Sequence, residues 1–297
     1  MNDDCLAELA GVSKRFGKTA ALDGLDLKVQ RGQLVAVLGP NGAGKTTAIS
    51  LLLGVHQPDT GSARLFGQSP LRIEARRQVG VMMQEVGLAP ELRVREHIEL
   101  VASYYPAPLT PAEAMEKTHT QSLANRPYGK LSNGQKRQAQ FAMAVCGRPK
   151  LLFLDEPTVG LDIQARETMW ATLRQLVGQG SSIVLTTHYL EEAEALADRV
   201  AVLVKGRMLS SGTVREMRAH VVRKHIHCST SLAVEEIESW PEVESVSRDQ
   251  HGLHITAAQA EVVVRRLLAS DENLRELEVQ RAGLAEAFIG LTQEATQ

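Results

Sequence analysis

The chain has 297 residues, 43% hydrophobic and 23% charged, with a formal net charge of −2. That length and balance suffice for one large domain, or one with a small appendage, around a full apolar core. Near-neutrality leaves no basic footprint for nucleic acid and no polybasic patch for a lipid surface, so no nucleic-acid partner is expected.

Cys5, Cys146 and Cys228 lie far apart and form no CxxC pair. A reducing, cytoplasmic setting is the expectation. The longest run without Lys, Arg, Asp or Glu is 175–190, and it contains Gly178, Gly180 and His188. A spanning helix needs about 20 mainly apolar residues, so this run fails on length and composition. The opening MNDDCLAELA is acidic and lacks the layout of a secretory leader.

Alternation at Leu25, Leu27 and Val29 reads as antiparallel strand. Leu34–Leu38 is a continuous apolar run stopped by Gly39, the pattern of a strand buried on both faces. A helix is expected over Thr46–Leu53, ended by Gly54. Further buried strands are expected at Val79–Met83, Leu151–Leu154, Ser182–Thr187 and Val200–Val204, with helices at Ala165–Val177 and Glu191–Asp198. Alternating strands and helices imply an α/β fold with a mostly parallel sheet. From about 85 to 145 the strand pattern gives way to a helical insert, with helices over Val94–Val101, Ala112–Leu123 and Asn133–Val145. The first domain is expected to run over 1–220. A second module, 221–297, reads β-α-β-β-α-β, a ferredoxin-like order, with a closing helix over Gly283–Gln293.

Residues 39–47 read GPNGAGKTT. With a strand before and a helix after, this is a P-loop. Gly39, Pro40, Asn41, Gly42, Ala43 and Gly44 form the turn. Gly42 and Gly44 permit the backbone angles that aim successive N–H groups at an anion, and the following helix adds its positive end. Lys45 then bridges the β- and γ-phosphates of ATP, the Thr46 hydroxyl ligates Mg²⁺, and Thr47 reaches the α-phosphate. Asp155 and Glu156 end a buried strand, where ligand sites of open α/β sheets lie. Two adjacent carboxylates there need partners or a metal.

GPNGAGKTT at 39–47, LSNGQ at 131–135 and LLFLDEP at 151–157, in that order, resemble the ATP-binding subunit of an ABC transporter, a P-loop NTPase, over residues 5–215. The resemblance implies roles residue by residue. Asp155 holds Mg²⁺ through water, Glu156 polarises the attacking water, and Gln84 opens a loop that reaches the metal or that water. His188 contacts the γ-phosphate, and Phe16 stacks on adenine. Asp162 runs along a dimer seam. Ser132, Gly134 and Gln135 reach the ATP held by a second copy of the chain, so each nucleotide bridges two subunits. Asn133 departs from the family's usual LSGGQ, which leaves the hydrolysis rate open. TVGLDIQAR at 158–166 and LTTHYLEEAEALADRV at 185–200 resemble the ABC-2 type exporters, the branch of drug-resistance and Nod-factor export ATPases. That branch implies an ATPase on the inner face of the cell membrane, powering export through a separate multi-spanning permease docked between Gln84 and Tyr105. The alternative is an ATP-gated regulator without a permease. His225, His227 and His254 of the second module read as an exposed polar strand face rather than a zinc site.

Overall fold

A five-residue run with no polar member has little choice but to sit between two apolar layers. In the computed structural model of the protein, Leu34–Leu38 is a strand with every side chain buried. The structure describes residues 4–84, 86–219, 224–249 and 252–281, with Leu284 and Phe288. It divides into two compact units, Met1–Val214 and Arg215–Gln297.

The first unit begins with β1 (Cys5–Phe16), β2 (Thr19–Gln30), β3 (Leu34–Leu38), α1 (Lys45–Leu52), β4 (Thr60–Leu65), the single turn α2 (Ile73–Arg76) and β5 (Val79–Met82). It continues with α3 (Val94–Ala102), α4 (Pro111–Lys117), α5 (Asn133–Val145), β6 (Leu151–Asp155), α6 (Ile163–Gly178), β7 (Ser182–Thr187), α7 (Leu190–Leu196), β8 (Arg199–Val204) and β9 (Arg207–Thr213). One sheet has the order β5-β6-β7-β3-β8-β9, with only β9 antiparallel to its neighbour. A smaller antiparallel sheet has the order β2-β1-β4. This is the α/β architecture with antiparallel N-terminal strands and a helical insert that the pattern implied.

The period of two along each parallel strand sorts its side chains into two cores. Val35, Val37, Leu151, Phe153 and Val184 face α1 and the smaller sheet. Leu34, Leu152, Leu154, Ile183 and Leu185 face the other way, with Phe141 and Leu173. The insert has its own core of Val94, Ile98, Met115, Ala142 and Cys146. Because β3, β7 and β6 are parallel neighbours, their C-terminal ends open on one edge. Leu38 pairs with Thr187 and Asp155 with Thr186. That register brings three chain segments to a single place.

One expected helix is shorter than its apolar spacing suggests. Ala112–Leu123 was expected as one helix, but α4 stops at Lys117. The Thr118 hydroxyl donates to Ala114 O at 2.8 Å, His119 turns to φ +56°, and only a 3₁₀ turn comes after it, at Gln121–Leu123. The helix ends where His119 leaves the right-handed region, a turn that apolar spacing does not encode.

The second unit contains α8 (Val214–Ala219, which starts at the division), β10 (Lys224–Ser229), α9 (Val234–Glu238), β11 (Val243–Arg248), β12 (Leu253–Ala257), α10 (Ala260–Ser270) and β13 (Arg275–Arg281). Its sheet has the order β11-β12-β10-β13, every pair antiparallel. Ile226, Cys228, Trp240, Ile255, Val263 and Leu267 form its core. The closing helix expected over 283–293 lies outside the described residues, apart from Leu284 and Phe288. Among the described residues no helix is long and apolar enough to cross a membrane.

Candidate functional site

The loop after β3 closes tightly, and two of its three glycines have no room for a side chain. A Cβ on Gly39 would lie 2.3 Å from Leu203 O, and one on Gly44 would lie 2.5 Å from Ala21 O. Gly44 also takes φ +103° as the N-cap of α1, a conformation that L side chains rarely adopt. Pro40, Asn41 and Gly42 are exposed at the rim, Ala43 is buried beneath them, and Thr47 is half-buried. Lys45, with its side chain only 6% exposed, donates from Nζ to Gly39 O at 2.8 Å and Pro40 O at 3.2 Å. Its ammonium therefore sits inside the loop, beside the N-terminus of α1. An open loop with a cation and a helix end behind it is built for an anionic phosphate chain.

At the ends of β6 and β7 the carboxylates are fully engaged. Asp155 is buried. Its Oδ2 accepts from the Thr46 hydroxyl at 2.8 Å, and its Oδ1 accepts from the Thr186 hydroxyl. Glu156 adopts φ +48°, and its N–H donates to Thr186 O and Thr186 Oγ1, each at 3.1 Å. That turn aims its carboxylate away from the strand. Glu156 Oε1 lies 3.7 Å from Lys45 Nζ and 3.2 Å from His188 Nδ1. Lys45, Thr46, Asp155, Glu156 and His188 therefore converge on one spot.

Thr46 and Asp155 offer oxygen donors side by side, which suits a hard cation such as Mg²⁺ held by one carboxylate, a hydroxyl, phosphate and water. Among the described residues no group of three or more His, Cys, Asp and Glu is placed to cage a metal by itself. The residues present fit a metal that arrives with a phosphate ligand.

The remaining expected residues are placed less centrally. Gln84 is exposed, two residues beyond the end of β5. Phe16 is 46% exposed at the end of β1; His56 meets it edge-on with centroids 5.2 Å apart, and Lys14 Nζ lies 5.7 Å from its centroid. Ser132 caps α5: its hydroxyl accepts from Gln135 N at 3.2 Å, and Gln135 Oε1 accepts from Ser132 N at 3.2 Å and from Arg126 at 3.0 Å. A Cβ on Gly134 would lie 2.7 Å from Gly160 O, so this loop packs against the segment leading to Asp162. Asp162 caps α6 by accepting from Ala165 N at 2.8 Å. Among the described contacts, the Ser132 loop has no hydrogen bond to residues 39–47 of its own chain.

One residue at the site is not evident from motif reading. Arg137, two positions after Gln135, is 7% exposed, and donates to Met83 O at 2.9 Å, Asp155 O at 3.3 Å and Glu156 O at 2.8 Å. Burial pulls its pKa below the usual value, and the charges of Asp155 and Glu156 act against that shift. One guanidinium thus ties the insert's α5 to the main chain before Gln84 and to both carboxylate positions. The available signal was spacing, since 137, 140, 141 and 144 share the buried face of α5.

The comparisons agree with this geometry. The ABC transporter family profile matches residues 22–159. The Nod factor export ATP-binding protein I of Burkholderia thailandensis is 43% identical over 213 residues, covering 69% of this chain and 70% of that protein. The daunorubicin resistance ATP-binding protein DrrA3 of Streptomyces coeruleorubidus is 38% identical over 223 residues, covering 73% and 71%. A solved ATP-binding subunit of an ABC transporter superposes with a TM-score of 0.66 at 28% identity, covering 72% of this chain and 92% of that one. A dimeric ATP-binding cassette bound to ADP and phosphate shares the fold, with a TM-score of 0.65 at 23% identity over 70% and 98%. By phosphate loop, buried carboxylates and kinship alike, this chain belongs to the ABC transporter family as an ATP-binding, ATP-hydrolysing subunit.

Proposed function

We propose that the chain drives export. It pairs with a second copy of itself and powers a separate multi-spanning permease from the inner face of the cell membrane. The observation that carries the reading is the Glu156 carboxylate, held between the Lys45 ammonium and the His188 imidazole beside the Asp155–Thr46 pair. Its relatives' names, Nod factor export and daunorubicin resistance, supply the direction of transport. The exposed apolar side chains Val86, Leu100 and Tyr104, around α3, supply a surface on which a permease segment can dock.

The residues divide the work of hydrolysis. The 39–47 loop N–H groups and Lys45 hold the phosphate chain and neutralise charge that spreads onto the γ-phosphoryl oxygens. Thr46 and Asp155, with Gln84 as a further oxygen donor, would hold Mg²⁺, which would supply further neutralisation when bound with ATP. Glu156 orients the attacking water and holds its proton as the bond to phosphorus forms. The ADP oxygen leaves with the bonding pair, giving ADP and phosphate. His188 steadies the γ-phosphate opposite Glu156, and Phe16 offers its exposed face to adenine.

Ser132 is the piece that needs a partner. Its capping bond uses an oxygen lone pair and leaves the hydroxyl hydrogen for a phosphate presented by the second copy. Gly134 and Asp162 lie along the same seam. Paired cysteines at the exposed Asn133 and Asn41, placed on different copies that each carry one change, test this directly and leave Ser132 and Lys45 intact. ATP-dependent crosslinking between copies is expected, and its absence at saturating nucleotide would overturn the shared-site reading.

A further inference from the structure

We propose that Glu192 is a positioning residue for ATP hydrolysis: its buried carboxyl braces the segment after Glu156 against the segment that carries His188. This rests on the reading of Glu156 and His188 as the hydrolytic pair. Those two residues leave different strands, β6 and β7, and their 3.2 Å contact requires the two strand exits to keep their spacing. The β6–β7 pairing ends at Asp155 and Thr186, and the Glu156 N–H adds one last bond across, to Thr186. Among the described contacts no hydrogen bond joins residues 157–159 to 187–189, and another group has to hold them together.

Glu192 sits there. It lies on α7, four residues after His188, in a run whose other acids face outward more; Glu191 has a side chain 79% exposed, whereas Glu192 is 1% exposed. A carboxyl is rarely buried so deeply without a task, because charge in a dry site is unfavourable. Its Oε1 accepts from Trp170 Nε1 at 3.1 Å, which ties α7 to α6. The hydroxyls of Thr187, next to His188, and Thr158, two residues after Glu156, face the same carboxyl and favour its charged form. Both threonines are buried, at 1% and 4% exposure. Glu192 therefore ties α7 to α6 beside both exits.

Two buried atoms here, Glu192 Oε2 and Thr158 Oγ1, close no hydrogen bond of good geometry. The two groups face each other, so one contact between them would satisfy both. Burial outweighs the nearby hydroxyls, the indole and the Arg166 charge, and raises the carboxyl's pKa. In its neutral form the group can donate from one oxygen to Thr158 while the other accepts from Trp170. A neutral amide of the same shape can do the same. Arg166, the charged group facing it from α6, stacks over Trp170 at 5.1 Å and reaches outward to Glu191 at 4.0 Å.

Steady-state ATPase, normalised to bound ATP per chain, tests the brace. Glu192→Leu and Thr158→Val are expected to lower kcat by about tenfold to a hundredfold, the scale of an ångström-sized misplacement, with KM for ATP unchanged. Glu192→Gln is expected to stay within about twofold of the parent, and the Leu/Val double change to lose no more than the worse single one. Parental kcat in Glu192→Leu, a Gln variant as slow as Leu, or fully additive losses would each overturn the proposal. If Glu192→Leu does not fold, the Gln variant and Thr158→Val still decide it. Glu156→Gln, run alongside, separates the two levels: full turnover in that variant sinks the hydrolytic reading itself, whatever Glu192 does.

Discussion

Two of the molecule's polar clusters, one in each unit, are built on opposite terms. At the ends of β3, β6 and β7, Lys45, Asp155 and Glu156 are 6%, 0% and 8% exposed, and each has partners from a different chain segment. On the second unit's sheet, His227 and His254 sit with ring centroids 4.6 Å apart, and His254, its side chain 47% exposed, pairs with Asp249 at 3.1 Å. Both clusters look chemical in a bare sequence. Only the first withdraws its charges from water, and withdrawal is what makes each hydrogen bond strong and each missing one costly. Proximity of titratable groups is common on a sheet face; burial with mutual satisfaction is the feature that marks a working site.

The comparison can be broken from either side. The largest effect is expected at Glu156. Glu156→Gln should lower steady-state ATPase by about 10²–10⁴-fold and leave an ATP-dependent pair visible by size-exclusion chromatography. Turnover within tenfold of the parent would put the buried cluster on the same footing as the histidines.

Arg137→Met comes next, because it strips donors from Met83 O, Asp155 O and Glu156 O at once. A loss of about 3 kcal/mol in urea unfolding of the first unit is expected. A stability unchanged within error would mean that water replaces the guanidinium and that the site is wetter than its burial implies.

A smaller, pH-dependent effect sharpens the contrast. Burial raises the Glu192 pKa above its unfolded value of about 4.3, so folding takes up a proton there. Its contribution is complete below that value and is lost as pH rises through the folded pKa. Glu192→Gln stays neutral throughout. The melting temperature of the variant relative to the parent should therefore climb as pH rises from about 4 and then level off. A flat difference would show that Glu192 is already solvated.

The smallest effect is expected on the histidine face. His227→Gln with His254→Gln should change stability by less than about 0.5 kcal/mol and leave ATPase untouched. A large loss there would mean that exposure is a poor guide in this protein.

Legibility in the sequence tracks the distance along the chain between the residues involved. The strand Leu34–Leu38, the loop 39–47 and the Ser132 cap of α5 are local: each is decided within about ten residues by apolar runs, glycine and a capping hydroxyl. The contacts of Thr46 with Asp155 and of Trp170 with Glu192 join residues 109 and 22 positions apart, and no periodicity carries them. Arg137 and Glu192 each sit in a charged run where only one member is buried, so composition points outward. The misjudged end of α4 has a local cause of another kind. Apolar spacing continues past Lys117, but His119 leaves the helical region for φ +56°.

The left-handed backbone at Glu156 sets nature's optimum against the engineer's. Glycine or asparagine accepts φ +48° with less strain than glutamate does, at roughly 1 kcal/mol or more. Selecting this protein for heat resistance alone should therefore enrich chains that have traded their carboxylate for comfort. Thermally improved isolates would need a turnover assay before anyone trusted them, since a gain taken at this position silences the motor.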